Sequence, residues 1–140
     1  MIAKLDFDPY EPSFRYVAAH ILAKDLTEAS VRDALMRGHA YVSHDWLCDA
    51  SGFNFAEREG ARVLAGMGGE TRHTGNLELI GNLPVECSLK LIGNGAVLVT
   101  TFSDRLECHP SGPGVYRIEA WLTVDGESRP WVYSNPIQVR

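Results

Sequence analysis

Gly114-Val-Tyr-Arg-Ile-Glu-Ala-Trp-Leu-Thr-Val-Asp-Gly-Glu-Ser-Arg-Pro-Trp-Val-Tyr-Ser-Asn-Pro-Ile137 decides the fold class of this chain. Tyr116, Ile118, Ala120, Leu122 and Val124 alternate with Arg117, Glu119 and Thr123. A period of two means a strand with one buried and one wetter face. Asp125-Gly126 then marks a tight hairpin, because glycine adopts positive φ without steric cost. A second run follows, and Asn135-Pro136 breaks it.

The stretches before this hairpin carry the same kind of signal. Pro110-Ser-Gly-Pro-Gly114 leads into it, after Leu106 and Cys108. Ala96-Val-Leu-Val-Thr-Thr-Phe102 is a strand, entered by the turn Gly93-Asn94-Gly95. Val85, Cys87, Leu89 and Leu91 alternate with Glu86, Ser88 and Lys90, a half-buried strand. Leu77 to Leu83, Gly60 to Ala65 and the Phe53–Phe55 pair are further candidates, and Gly66 to Gly75 reads as a loop. Short strands with turn signals every ~8–12 residues predict a mainly β domain over residues 51–140, a sandwich or a barrel; of the two, the expectation is an immunoglobulin-like sandwich of about seven strands.

Residues 1–50 read as an N-terminal appendage of strand, helix and strand. Pro9 and Pro12 make residues 1–14 an extended lead-in. Arg15 to Ala23 reads as a buried strand, with a short helix as the alternative. Thr27 is a good helix N-cap, Leu26 and Val31 occupy the positions of a hydrophobic staple, and Glu28 suits the positive end of the helix dipole. Val31, Ala34 and Leu35 form one apolar stripe, and Gly38 is the expected stop. A helix of about ten residues is marginal alone and has to dock that stripe on something. Ala40 to His44 follows as a short strand.

The totals exclude several classes. In 140 residues, 45% hydrophobic and 22% charged, there is room for one domain with a real core. A net charge of −5 with 13 scattered basic residues argues against a nucleic-acid surface. No apolar run approaches the ~20 residues that span a membrane, and the acidic N-terminus is unlike a signal peptide. Cys48, Cys87 and Cys108 are odd in number and far apart, a poor disulfide or zinc framework, so plain thiols in a reducing cytoplasm are expected.

Candidate chemistry concentrates at His39, His44, Asp45, Cys48 and Asp49, with His20 a possible neighbour in space. Adjacent strand residues point to opposite faces, so His44 and Asp45 cannot share a metal unless the strand has ended. The alternative is a strand end whose polar groups hold the next loop. Ser43-His44-Asp45 resembles a triad only in print, since adjacent residues cannot adopt its geometry. The Gly66–Gly69 loop matches no phosphate-binding pattern and reads as a tight turn. His73 is expected to face solvent and His109 to cap a strand end. If Trp121 faces out with Arg117 and Glu119, it forms a sticky surface with Trp131; the alternative is that these aromatics pack against the N-terminal helix or a docked domain. No catalytic, cofactor-binding or metal-binding residue is assigned, and no cofactor is expected.

Asp8-Pro-Tyr-Glu-Pro-Ser-Phe-Arg15, His20 to Glu28, Asp33 to Val42, Asp45-Trp-Leu-Cys-Asp49 and Pro130-Trp-Val-Tyr-Ser-Asn-Pro-Ile137, in this order and spacing, carry a resemblance. The chain resembles the C-terminal portion of PHP-type (polymerase and histidinol phosphatase) metal-dependent hydrolases. The resemblance implies a remnant of the catalytic barrel's last strand and helix, then a β-sandwich. That family holds its metals through His-x-His and Asp-x-His motifs, and this chain has neither. The expectation is an accessory region of a phosphoesterase-like hydrolase, not catalytic alone, partnered by a catalytic barrel or by a second copy. The competing expectations are a stand-alone ligand- or protein-binding module, and a small hydrolase built on His20, His44 and Asp45.

Overall fold

The structure, a computed structural model, describes residues 16–140; the expected lead-in over residues 1–14 lies outside them. Helix α1 (Glu28–Met36) stands among ten strands: β1 (Ala18–Ile21), β2 (Ala40–Ser43), β3 (Asn54–Glu59), β4 (Arg62–Gly66), β5 (Glu70–Thr71), β6 (Leu77–Gly93), β7 (Ala96–Cys108), β8 (Gly114–Val124), β9 (Glu127–Ser134) and β10 (Ile137–Val139). The fold is mainly β, as expected. All ten strands belong to one hydrogen-bonded sheet with a spine β1-β2-β9-β8-β6-β3-β4. Pairing is antiparallel except between β5 and β10.

The sheet curls into a half-barrel about β6. Leu77 to Leu83 and Val85 to Leu91, two strands by their signals, are one strand of 17 residues. Its first part pairs with β3 and its last with β8, while β7 follows both. Between Asn82 and Cys87 the strand advances further than β7 does from Arg105 to Ser103. This bulge contains Pro84, which has no N–H to give a ladder. It also turns Val85 outward, 37% exposed, against the inward placement its alternation predicts.

One core lines the concave side. Phe55, Leu79, Leu89, Leu91, Ile118, Trp131 and Ile137 are all fully buried in it. The terminal hairpin forms as its pattern predicts: Tyr116, Ile118 and Ala120 are buried, and the turn residues Asp125 and Gly126 have φ of 52° and 79°. A bulge of β9 against Ala120 and Trp121 leaves Trp131 without a cross-strand partner. The kink lets Trp131 and Val132 both enter the core, which alternation forbids.

At the N-terminal end Thr27 caps α1, its Oγ1 accepting from Ser30 N at 3.3 Å, and Gly38 ends it at φ 72°. The apolar stripe differs from expectation. Only Ala34 is buried, Leu35 is 54% exposed, and Leu26, fully exposed, forms no staple with Val31. Through β2, which pairs with β9, the appendage extends the same sheet.

Candidate functional site

Three of the chemistry-bearing residues meet where β2 ends beside the start of β1. The antiparallel register sets Ala18 across from Ser43 and His20 across from Tyr41. His20 Nε2 lies 2.8 Å from Ser43 Oγ and 3.0 Å from Asp45 Oδ2. The Ser43 hydroxyl donates to Asp45 Oδ1 at 2.6 Å. The His20 ring stacks on Tyr41 with centroids 4.4 Å apart. Burial raises the Tyr41 phenol pKa, with the charges of Asp45 and Asp49 adding to it.

These atoms spell serine, histidine and aspartate, yet the bond directions oppose nucleophilic catalysis. A triad uses the two ring nitrogens separately, one held by the carboxylate and the other taking the serine proton. Here Nε2 alone faces both partners, and Ser43 gives its proton to Asp45. Because the hydroxyl proton is committed, Nε2 has to donate. Ser43 is fully buried besides. Asp45 Oδ1 also accepts from Ala50 N at 3.3 Å, and Asp49 Oδ1 accepts from Ser51 N at 2.8 Å. Hydrogen bonding from the Ser51 side chain, and then from its backbone N–H, lowers the Asp49 pKa. The cluster is a polar knot that holds the loop 44–53.

The other candidates are dispersed. His44 meets β9 through its backbone, its N–H donating to Trp131 O at 2.8 Å. His39 sits beyond α1, lining a cleft of about 100 Å³ with Lys24, Ser30 and Arg37. His73 is half-buried rather than solvent-facing, and its Nε2 donates to Pro110 O at 3.3 Å. His109 does close a strand end, Nδ1 donating to Leu77 O at 2.8 Å. The three cysteines are free thiols, and burial pushes Cys87 up to about 12, far from thiolate reactivity. Among the described residues no group of three or more His, Cys, Asp or Glu is placed to hold a metal.

The Gly66–Gly69 loop is a tight turn, with Gly69 N–H on Gly66 O at 2.9 Å. It also docks: Gly68 N–H reaches Pro136 O at 2.8 Å, and Gln138 N–H reaches Gly69 O at 3.0 Å.

The convex face carries a more open constellation. Register sets Phe102 on β7, Ser88 on β6 and Trp121 on β8 in one row. Lys90 Nζ lies 4.3 Å from the Trp121 ring centroid, a cation–π contact. Trp121 meets Tyr133 edge-on at 6.5 Å, and its Nε1 donates to Glu119 Oε2 at 3.3 Å. Trp121 therefore does face outward with Arg117 and Glu119. Its aromatic companions are Tyr133 and Phe102, not Trp131, which is fully buried. Phe102 was not legible as a member, because the pairing of β7 with β6 across a bulge cannot be read from alternation.

A second buried group stands apart. Glu57 on β3 is fully buried; Thr71 Oγ1 hydrogen-bonds Oε2, and Oε1 has no partner. Burial raises its pKa above the ordinary value, against the opposing pull of Thr71 and His73.

Comparison with protein-family models, curated proteins and solved structures finds no match to this chain.

Proposed function

We propose that the chain is a docking region, the accessory C-terminal part of a PHP-like metal-dependent phosphoesterase, and that a catalytic barrel supplies the metal and the chemistry. The observation that carries this reading is the uncovered apolar surface of the appendage. Met36 is 84% exposed and Leu35 54% on a nine-residue helix that buries one side chain, and Leu26, just before the helix, is 100% exposed. Leu22, which lines the cleft beside α1, adds exposed apolar area nearby. A helix so short draws its stability from packing, so such a face calls for a partner. The ordered motifs from His20 to Asp49 and at Pro130–Ile137 name the kind of partner.

The immunoglobulin-like sandwich is part of the proposal. The bulge in β6 supports it, because core residues before it (Phe55, Leu79) and after it (Leu89, Ile118) close on one another. A reducing compartment is also part of it, supported by the free thiols.

The test is turnover of an aryl phosphate with manganese, zinc or iron. The chain alone adds nothing to the rate with metal, and it binds a PHP barrel encoded beside it or in its frame. Leu35→Asp with Met36→Asp abolishes that binding. Metal-dependent turnover by the chain alone, lost in His20→Ala or His44→Ala, overturns the reading.

A second reading, a stand-alone binding module, draws on the convex row of Phe102 and Trp121 with Lys90 on the indole. Saturable binding of a sugar that disappears in Trp121→Ala favours it over the first.

A further inference from the structure

The edge of β7 is long and open. Its cross-strand partners all lie on β6, and no backbone hydrogen bond reaches its other side among the described residues. Proteins protect such edges with lysine, proline, charge or bulges, because unpaired N–H and C=O groups recruit other strands. Ala96 to Ser103 contains no charged residue, no proline and no glycine. One bulge falls at Leu98, between the pairs Ile92–Val97 and Leu91–Val99, and leaves Val99 to Ser103 as a regular ladder. Past Ser103 the edge is closed locally, where Arg105 N–H turns back to Ser103 Oγ at 3.0 Å. The open ladder is thus about as long as a typical strand. It mixes apolar and hydroxyl side chains; Phe102 on it is 71% exposed, and Val97, just before the bulge, is 57% exposed.

We infer that this edge is a self-association surface, where β7 of a second copy adds antiparallel and joins two curled sheets into one. The occupant follows from the distribution of charge. The charged residues of β7, Asp104, Arg105 and Glu107, all lie at one end of the strand, where Arg105 pairs with Glu107. A parallel copy stacks each of these charges on its like. An antiparallel copy centred on Thr101 sets Val99 across from Ser103 and Thr100 across from Phe102, and sends the two charged ends apart. Both Phe102 rings then share the convex face with Trp121 and Lys90 of each copy. The two-fold contact consumes both edges, so the assembly closes as a dimer. This surface is separate from the exposed face of α1, so the inference does not rest on the proposed enzyme partner.

Sedimentation velocity from about 1 to 100 μM at physiological salt tests it. The expected result is a monomer–dimer equilibrium with slowed amide exchange over Val99 to Ser103. Phe102→Lys and Thr100→Lys, both at exposed positions, each weaken the dimer at least about tenfold with an unchanged circular dichroism spectrum. Val63→Lys, on the separate edge strand β4, leaves it intact. A monomer throughout, a dimer indifferent to both lysines, or open-ended polymers overturns the inference.

Discussion

Trp131 Nε1 donates to the carbonyl of Cys48 at 2.7 Å, tying β9 to a loop 83 residues earlier in the chain. The indole is fully buried, and the His44 N–H reaches the carbonyl of the same tryptophan. Trp131→Phe leaves the Cys48 carbonyl unpaired beside a small void, and the expected cost is about 2–4 kcal/mol. Urea denaturation checks it; a loss below about 1 kcal/mol means that the contact does not anchor the loop.

Asp45 satisfies three donors at once, Ser43 Oγ, His20 Nε2 and Ala50 N. Asp45→Ala removes the acceptor shared by three donors and leaves the buried Ser43 hydroxyl only His20 as a partner, so a loss of about 2–4 kcal/mol is expected, against about 1 for Ser43→Ala. In the double mutant the losses fall short of their sum, since both remove one shared bond. Strict additivity in a double-mutant cycle refutes the shared knot.

Glu57 makes stability depend on pH with a definite sign. Burial raises its folded-state pKa above the ordinary 4.5, so the folded state holds the proton more tightly than the unfolded chain. The stabilisation is complete below pH 4.5 and is lost as pH rises through the raised value. Glu57→Gln keeps a neutral group of the same shape. Relative to wild type its melting temperature is expected to be higher at neutral pH, with the gap shrinking on acidification. Parallel Tm–pH curves for the two proteins contradict this.

Gly68 has φ of 79°, and a Cβ built there meets Arg37 O at 2.1 Å. Gly126 has the same φ with nothing within 4 Å. Alanine at Gly126 therefore bears only the backbone strain, about 1 kcal/mol, while alanine at Gly68 forces the turn off the end of α1 and costs at least twice that. Equal losses in thermal melts mean that the contact relaxes freely.

Some elements were legible because their cause is local. Asp125-Gly126 makes its turn through positive φ, Thr27 caps α1 through its own hydroxyl, and Tyr116 to Ala120 bury alternate side chains. Others depend on a partner strand. The merging of two runs into β6, the exposure of Val85 and the burial of Trp131 all involve bulges, which arise between strands; Pro84 marks one of them in the sequence without fixing its partner or register. The same holds for the site. His20, Ser43 and Asp45 meet only because β1 and β2 pair in one register, and Phe102 joins Trp121 only across β6.

By itself the sequence determined a mainly β chain, its hairpin turns and one capped helix, since φ preferences and alternation act within a few residues. The tertiary structure alone decided that the strands curl into a single sheet around one core, which face of the helix is left uncovered, and which side chains share a surface. These outcomes come from pairing between distant segments, whose register is chosen by the packing of the whole core.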